Sequence, residues 1–181
     1  SELFGAASAT PRVVWLQGQS CSGCSVSLLN TISYMTVDDL LVDTIAMEYH
    51  PTIMAAAGAG AVAAAQSAYQ QGGYILVVEG ALPTLSPQSA YCELWPGKPA
   101  LAGVQEFAAR ALTPVLAVGT CACYGGIPAA RPNPTGATSV RAALGPTNVV
   151  SLPGCPSHPD WIVGTIAYIL ANGRAPERDS Q

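Results

Sequence analysis

WLQGQSCSGCSVSLLN, residues 15–30, joins an apolar run to a helix-like stretch through a loop carrying two cysteines three positions apart. The apolar side begins at Arg12, and RVVWLQ has the near-continuous hydrophobicity of a strand buried on both faces. Four further runs rich in Val, Ile and Leu, at 42–48, 74–79, 114–119 and 148–152, read as strands of the same kind. Helices are expected between and after them, over 25–35, 52–71, 100–112, 138–144 and 160–171. Five alternations of strand and helix predict an α/β domain, doubly wound about a five-stranded parallel sheet with right-handed crossovers.

Length and composition bound what such a domain does. A chain of 181 residues suits one domain, which typically needs roughly 100–200. We place it at 12–173, after an N-terminal arm (1–11) and before a polar tail (174–181). Half of the residues are hydrophobic and 10% are charged, against roughly 25% charged in an ordinary soluble chain. So little charge predicts a large face covered by a partner. The net charge of −4 argues against a nucleic-acid partner, which wants a basic patch. The longest apolar runs, 53–65 and 161–171, fall short of the roughly 20 residues that span a bilayer. SELFGAASATP has neither the basic region nor the apolar core of an intact signal peptide, which leaves location open: periplasmic if a leader has been removed, otherwise cytoplasmic.

Two segments stand out from this background. The Ala- and Gly-rich stretch MAAAGAGAVAAAQSAYQQ has side chains small enough for tight packing on its own sheet or close approach of another backbone. Residues 80–99 form a long excursion with Cys92 and Trp95, of the length that is usually functional or contacts a partner.

Six cysteines are too few to staple a miniature fold, and this chain can build its own core. In a doubly wound sheet, ligands bind beyond the carboxyl ends of the strands. Cys21 and Cys24 follow the first strand, Cys121 and Cys123 the fourth, and Cys155 the fifth, so five of the six fall at that edge. GQSCSGCS, GTCACYGG and PGCPSHP combine Cys with Gly or Pro, residues that let a backbone turn tightly while thiolates converge. A CxxC at a strand-to-helix turn is also a redox-disulfide pattern, but it leaves Cys121 and Cys155 unexplained. Two ligands from the first loop and one from each of the others make four, the count of a 4Fe-4S cluster or a four-thiolate zinc site. Structural zinc usually takes two CxxC-like knuckles. Here one pair is local and two cysteines are single, which leans toward a cluster without deciding it.

WLQGQSCSGCSVSLLN, EYHPTIMAAAG, VVEGALP, GTCACYGGIPAARPNPTGATSV and LPGCPSHPDWIVGTI, in that order, closely resemble the small subunit of nickel-iron and nickel-iron-selenium hydrogenases. The resemblance implies a flavodoxin-like domain holding one 4Fe-4S cluster and docking on a large subunit that carries the nickel-iron centre. It implies an obligate heterodimer, with a dimer of heterodimers left open, and an external protein that takes or gives electrons. It also implies Cys21, Cys24, Cys121 and Cys155 as the cluster ligands. Glu79 matches the family's acidic residue near the cluster, where a carboxylate can accept backbone N–H bonds and orient the loops. His158 either tunes the cluster or lines a proton route, or caps the last helix; Ser20, Gly23 and Thr120 complete the surroundings. His50 reads as structural or interfacial, and Cys92 and Cys123 as bystanders.

Three features of the family pattern are absent. The extra cysteines of oxygen-tolerant members are replaced beside the CxxC by Gly23 and Ser25, which predicts an ordinary cluster. Ser20 stands where the family often has a Glu that relays protons. The chain reaches Gln181 without the usual second, cluster-binding domain, so either electrons pass from this one cluster to a separate protein or the chain is a naturally short or truncated form. The nearest rivals are the iron-sulfur subunit of a quinone-reducing respiratory complex, which typically carries adjacent cysteines, and a zinc-stabilised binding module.

Overall fold

The strands β1 (Arg12–Gln17), β2 (Ala46–Tyr49), β3 (Ile75–Glu79), β4 (Leu112–Val118) and β5 (Val149–Leu152) form one sheet in the order β2-β1-β3-β4-β5, with every neighbouring pair parallel. This is a computed structural model, and it describes residues 10–85, 91–145 and 149–177. Strand order reverses direction between β1 and β3. In this doubly wound, flavodoxin-like arrangement the crevice lies at that switch point, beyond the strands' carboxyl ends.

Alternation along the strands divides the core in two. Val14, Leu16, Leu76, Val78 and Ala117 face helices α2 (Gly58–Gln71), α3 (Ala100–Ala108) and α5 (Val140–Leu144), through Ala65, Ala68, Phe107 and Val140. Val13, Trp15, Ile75, Val77 and Leu116 face α1 (Gly23–Leu28) and α6 (Pro159–Asn172), through Leu28, Ile162 and Ile166. Each such large side chain, fully buried, contributes about 1.5–3 kcal/mol. With both faces covered, function is confined to the sheet's ends and the outer helix surfaces. No helix among the described residues is long and apolar enough to cross a membrane.

Several expected elements need correction. The run 42–48 was expected to be strand throughout. Instead Asp39–Thr44 is a π-helical turn, and the strand starts at Ala46. Asp39 Oδ2 accepts from Thr36 N and Oγ1, and Thr44 Oγ1 donates back to Asp39 O, so local polar bonds win the turn. The first helix ends at Leu28, not Met35, where Asn30 Nδ2 folds back onto Val26 O. The second begins at Gly58, not Thr52, because Pro51 and the positive φ of Gly58 (55°) keep the preceding stretch out of the helix. Its exposed first turns carry the small residues, while Ala65 and Ala68 pack inward. The third ends at Ala108 and β4 begins at Leu112; the fifth starts at Val140 behind a Ser139 cap. The excursion at 80–99 is partly ordered into two-residue and three-residue strands, Leu82–Pro83 on Ala137–Thr138 and Glu93–Trp95 on Lys98–Pro99. Most of the N-terminal arm, residues 86–90, Asn148 and the end of the tail lie outside the described residues.

Candidate metal centre

Three strand ends turn into the same crevice. A cavity of about 240 Å³ is lined by Cys21 and Cys24 after β1, by Cys121 on α4 (Gly119–Tyr124) after β4, and by Cys155 after β5. Ser20, Gly23, Glu79 and Thr120 line it too. The loops are stitched together by backbone bonds: Gln19 N to Ala81 O (2.8 Å), Ala81 N to Gln19 O (3.1 Å) and Thr120 N to Gly154 O (2.8 Å). Convergence of the four thiols is thus a property of the sheet edge, not of any single loop.

Glu79 closes β3 and forms part of the cavity lining, 2% exposed. Its Oε1 accepts from Ser20 Oγ (2.8 Å) and Cys24 N (3.1 Å); its Oε2 accepts from Trp15 Nε1 (3.1 Å), Gln17 Nε2 (3.1 Å) and Ser25 Oγ (2.5 Å). One carboxylate therefore fixes the CSGC loop at its backbone and at the residues flanking it. A buried charge stands only where such bonds replace water.

The thiols themselves are set for binding to something electron-poor. Burial pushes the Cys24 thiol up to about 11, with the Ser157 backbone hydrogen bond pulling the other way and Glu79, Cys21 and Cys121 adding to the rise. Burial likewise raises Cys121, against a backbone hydrogen bond from Ile127, with Cys155, Cys21 and Glu79 adding repulsion. The sulfurs feel one another, and burial disfavours the thiolate at both Cys24 and Cys121, which a bound metal would offset. Two glycines keep space around them: a Cβ on Gly119 (φ 87°) would come 2.4 Å from Cys24 Sγ, and one on Gly126 (φ 52°) would come 2.7 Å from Cys121 Sγ. Among the described residues, no three Cys, His, Asp or Glu side chains gather closely enough for a single metal ion.

Other candidates lie elsewhere. His158 is exposed and is the N-cap of α6, its Nδ1 accepting from Asp160 N (3.3 Å); it does not line the cavity. His50 is fully buried against the Trp15 ring (centroids 5.0 Å apart), with Nδ1 accepting from Thr52 N and Ile53 N. Cys123 Sγ donates to Ala117 O (3.3 Å) inside the α2/α3 face of the core, and Cys92 packs at the margin of that core. The sequence reading missed Trp15, Gln17 and Ser25 as partners of Glu79. Alternation along β1 puts Trp15 and Gln17 on one side, but only the β1/β3 register sets Gln17 opposite Glu79.

Known proteins carry the same arrangement of fold and motifs. Residues 21–169 match the family described as NADH ubiquinone oxidoreductase, 20 Kd subunit. The chain is 41% identical over 169 residues to the periplasmic [NiFeSe] hydrogenase small subunit of Desulfomicrobium baculatum, covering 85% of this chain and 53% of that one. It is 43% identical over 176 residues to the periplasmic [NiFe] hydrogenase small subunit 1 of Nitratidesulfovibrio vulgaris, covering 93% and 53%. In structure it is similar to a chain of the reduced, active Ni-Fe-Se hydrogenase of D. baculatum, with a TM-score of 0.86 and 38% identity over 95% of this chain and 68% of that one. The chain spans about half the length of the curated relatives it matches. It belongs to the NADH ubiquinone oxidoreductase 20 kDa subunit family, as a member of that family's hydrogenase small-subunit group.

Proposed function

We propose that this chain is the electron-transfer small subunit of a nickel-iron type hydrogenase, with Cys21, Cys24, Cys121 and Cys155 holding one 4Fe-4S cluster. The observation that carries this reading is the single cavity onto which these four thiols, and neither Cys92 nor Cys123, converge. The donor set fits: four sulfurs from three loops, with glycines that clear space for them. One local pair and two single cysteines lean toward a cluster over structural zinc, which usually takes two CxxC-like knuckles. A bound cluster would supply a one-electron carrier.

The chain's own residues hold and shield this carrier. Glu79 anchors the CSGC loop, the backbones of Ser157 and Ile127 hydrogen-bond to Cys24 and Cys121, and Thr120 ties the β4 end to Gly154. The chemistry at dihydrogen, oxidation or proton reduction, belongs to the nickel-iron site of a large subunit, and electrons pass between that site and an external redox protein. Exposed Val26, Leu29, Ile32 and Tyr34, on and after α1, and Tyr124 and Ile127 beyond Cys121, give the cysteine edge an apolar border suited to an obligate interface. Against the respiratory-complex alternative, CSGC lacks adjacent cysteines.

The test is iron content. Cys155→Ala should lose its iron and fail to assemble, while Cys92→Ala keeps its iron; equal iron in both overturns the ligand assignment. A colourless protein holding one zinc overturns the cluster, and co-purification with a nickel-containing large subunit tests the partner.

A further inference from the structure

We propose that Glu79 sets the reduction potential of the cluster, as a fixed negative charge at the cavity wall whose strength is adjusted by the donors that surround it. The inference rests on the cluster reading above and adds to Glu79's anchoring role a second, electrostatic one.

The shell around Glu79 is made of donors. Ser25 Oγ accepts from Gln17 Nε2 (2.9 Å) and Ser20 Oγ accepts from Ser22 N (3.0 Å), and each hydroxyl keeps its own proton for Glu79. The Trp15 indole and the Cys24 amide can only donate. The Gln17 amide nitrogen likewise only donates, so each carboxylate oxygen faces at least one donor that cannot accept. No cation pairs with Glu79 among the described residues; the ion pairs there are Arg12–Glu48, Lys98–Glu106 and His158–Asp160. The charge is thus spread over neutral dipoles, and a neutral dipole shell disperses a charge without cancelling it.

Reduction adds one electron to the cluster. A negative charge in a poorly solvated site opposes that addition and lowers the potential. Taking a donor away concentrates charge on the carboxylate and lowers the potential further; replacing the carboxylate by an amide raises it. Charge and donors act in opposite directions, whereas damage to the loop would shift every variant the same way.

The experiment is a potentiometric titration of the intact complex, purified anaerobically and followed by the electron paramagnetic resonance signal of the reduced cluster. Glu79→Gln should raise the midpoint by about 59 mV or more, a tenfold change in a one-electron equilibrium. Ser25→Ala and Ser20→Ala should lower it, with iron content unchanged. Retained iron with no shift, or with all shifts in one direction, overturns the proposal. If Glu79→Gln does not assemble, the two serine variants still decide it, an unchanged midpoint in both being fatal. A wild-type complex without any iron-sulfur signal would instead overturn the cluster reading beneath it.

Discussion

The chain has two local cysteine pairs, and the fold treats them differently. Cys21, in the loop before α1, and Cys24, in the first turn of α1, are three apart, and both line the cavity. Cys121 and Cys123 are two apart on α4, and only Cys121 does; Cys123 points into the core and bonds to Ala117 O. Both members of the second pair lie on α4, where two positions send a side chain to the opposite face; Cys21 precedes α1 with Ser22 at φ 64°, so the turn of the loop sets the first pair. A cysteine count alone would give six candidates. Spacing on α4, once that helix is known, separates a cavity-lining cysteine from a small core residue.

The strongest way to break that comparison is to exchange serine for cysteine within the second pair. Cys121→Ser should lose essentially all cluster iron, whereas Cys123→Ser should keep it and cost about 1–2 kcal/mol at most, since a hydroxyl can still donate to Ala117 O. Iron loss from Cys123→Ser with Cys121→Ser intact would reverse the assignment. Next in size is Gly119→Ala, which places a methyl against Cys24 Sγ at a positive φ. A loss of about 2–4 kcal/mol in denaturant unfolding, together with reduced iron, is expected. A smaller effect concerns His50. Burial holds it down to about 4 from 6.5, with Glu79 opposing. The unfolded chain therefore binds this proton first as pH falls, so stability is full above about 6.5 and drains away toward about 4, at about 1.4 kcal/mol for each unit. His50→Gln should flatten that part of a stability-versus-pH curve. Smallest is His158→Ala, which removes the α6 cap: about 0.5–1 kcal/mol of stability and no change in iron or midpoint potential. A shifted potential in that variant would return His158 to the site.

Much of the fold was legible because buried strands announce themselves. RVVWLQ and ILVVE are hydrophobic on both sides, and the sheet covers both sides. Residues 42–48 misled because Leu40, Val42 and Ile45 form an apolar run that fits a strand or a helical turn equally. The structure buries Leu40 and leaves Val42 exposed. GTCACYGG read as a loop because of its glycines and cysteines, yet Gly119–Tyr124 is a helix, closed at the C-cap by Gly125 at φ 91°. Exposed apolar side chains were foreshadowed by the charge-poor composition, but not which ones they are.

Sequence by itself determined the alternation of elements, the edge of the sheet at which the cysteine loops emerge, and the pairing of Cys21 with Cys24, because these depend on local periodicity and chain order. Only tertiary structure decided that Glu79 meets Trp15, Gln17, Ser20, Ser25 and the Cys24 amide at once. It alone decided, too, that Cys121 faces the cavity while Cys123 does not. Those outcomes turn on strand register and helix phase, and a shift of one residue in either exchanges inside for outside.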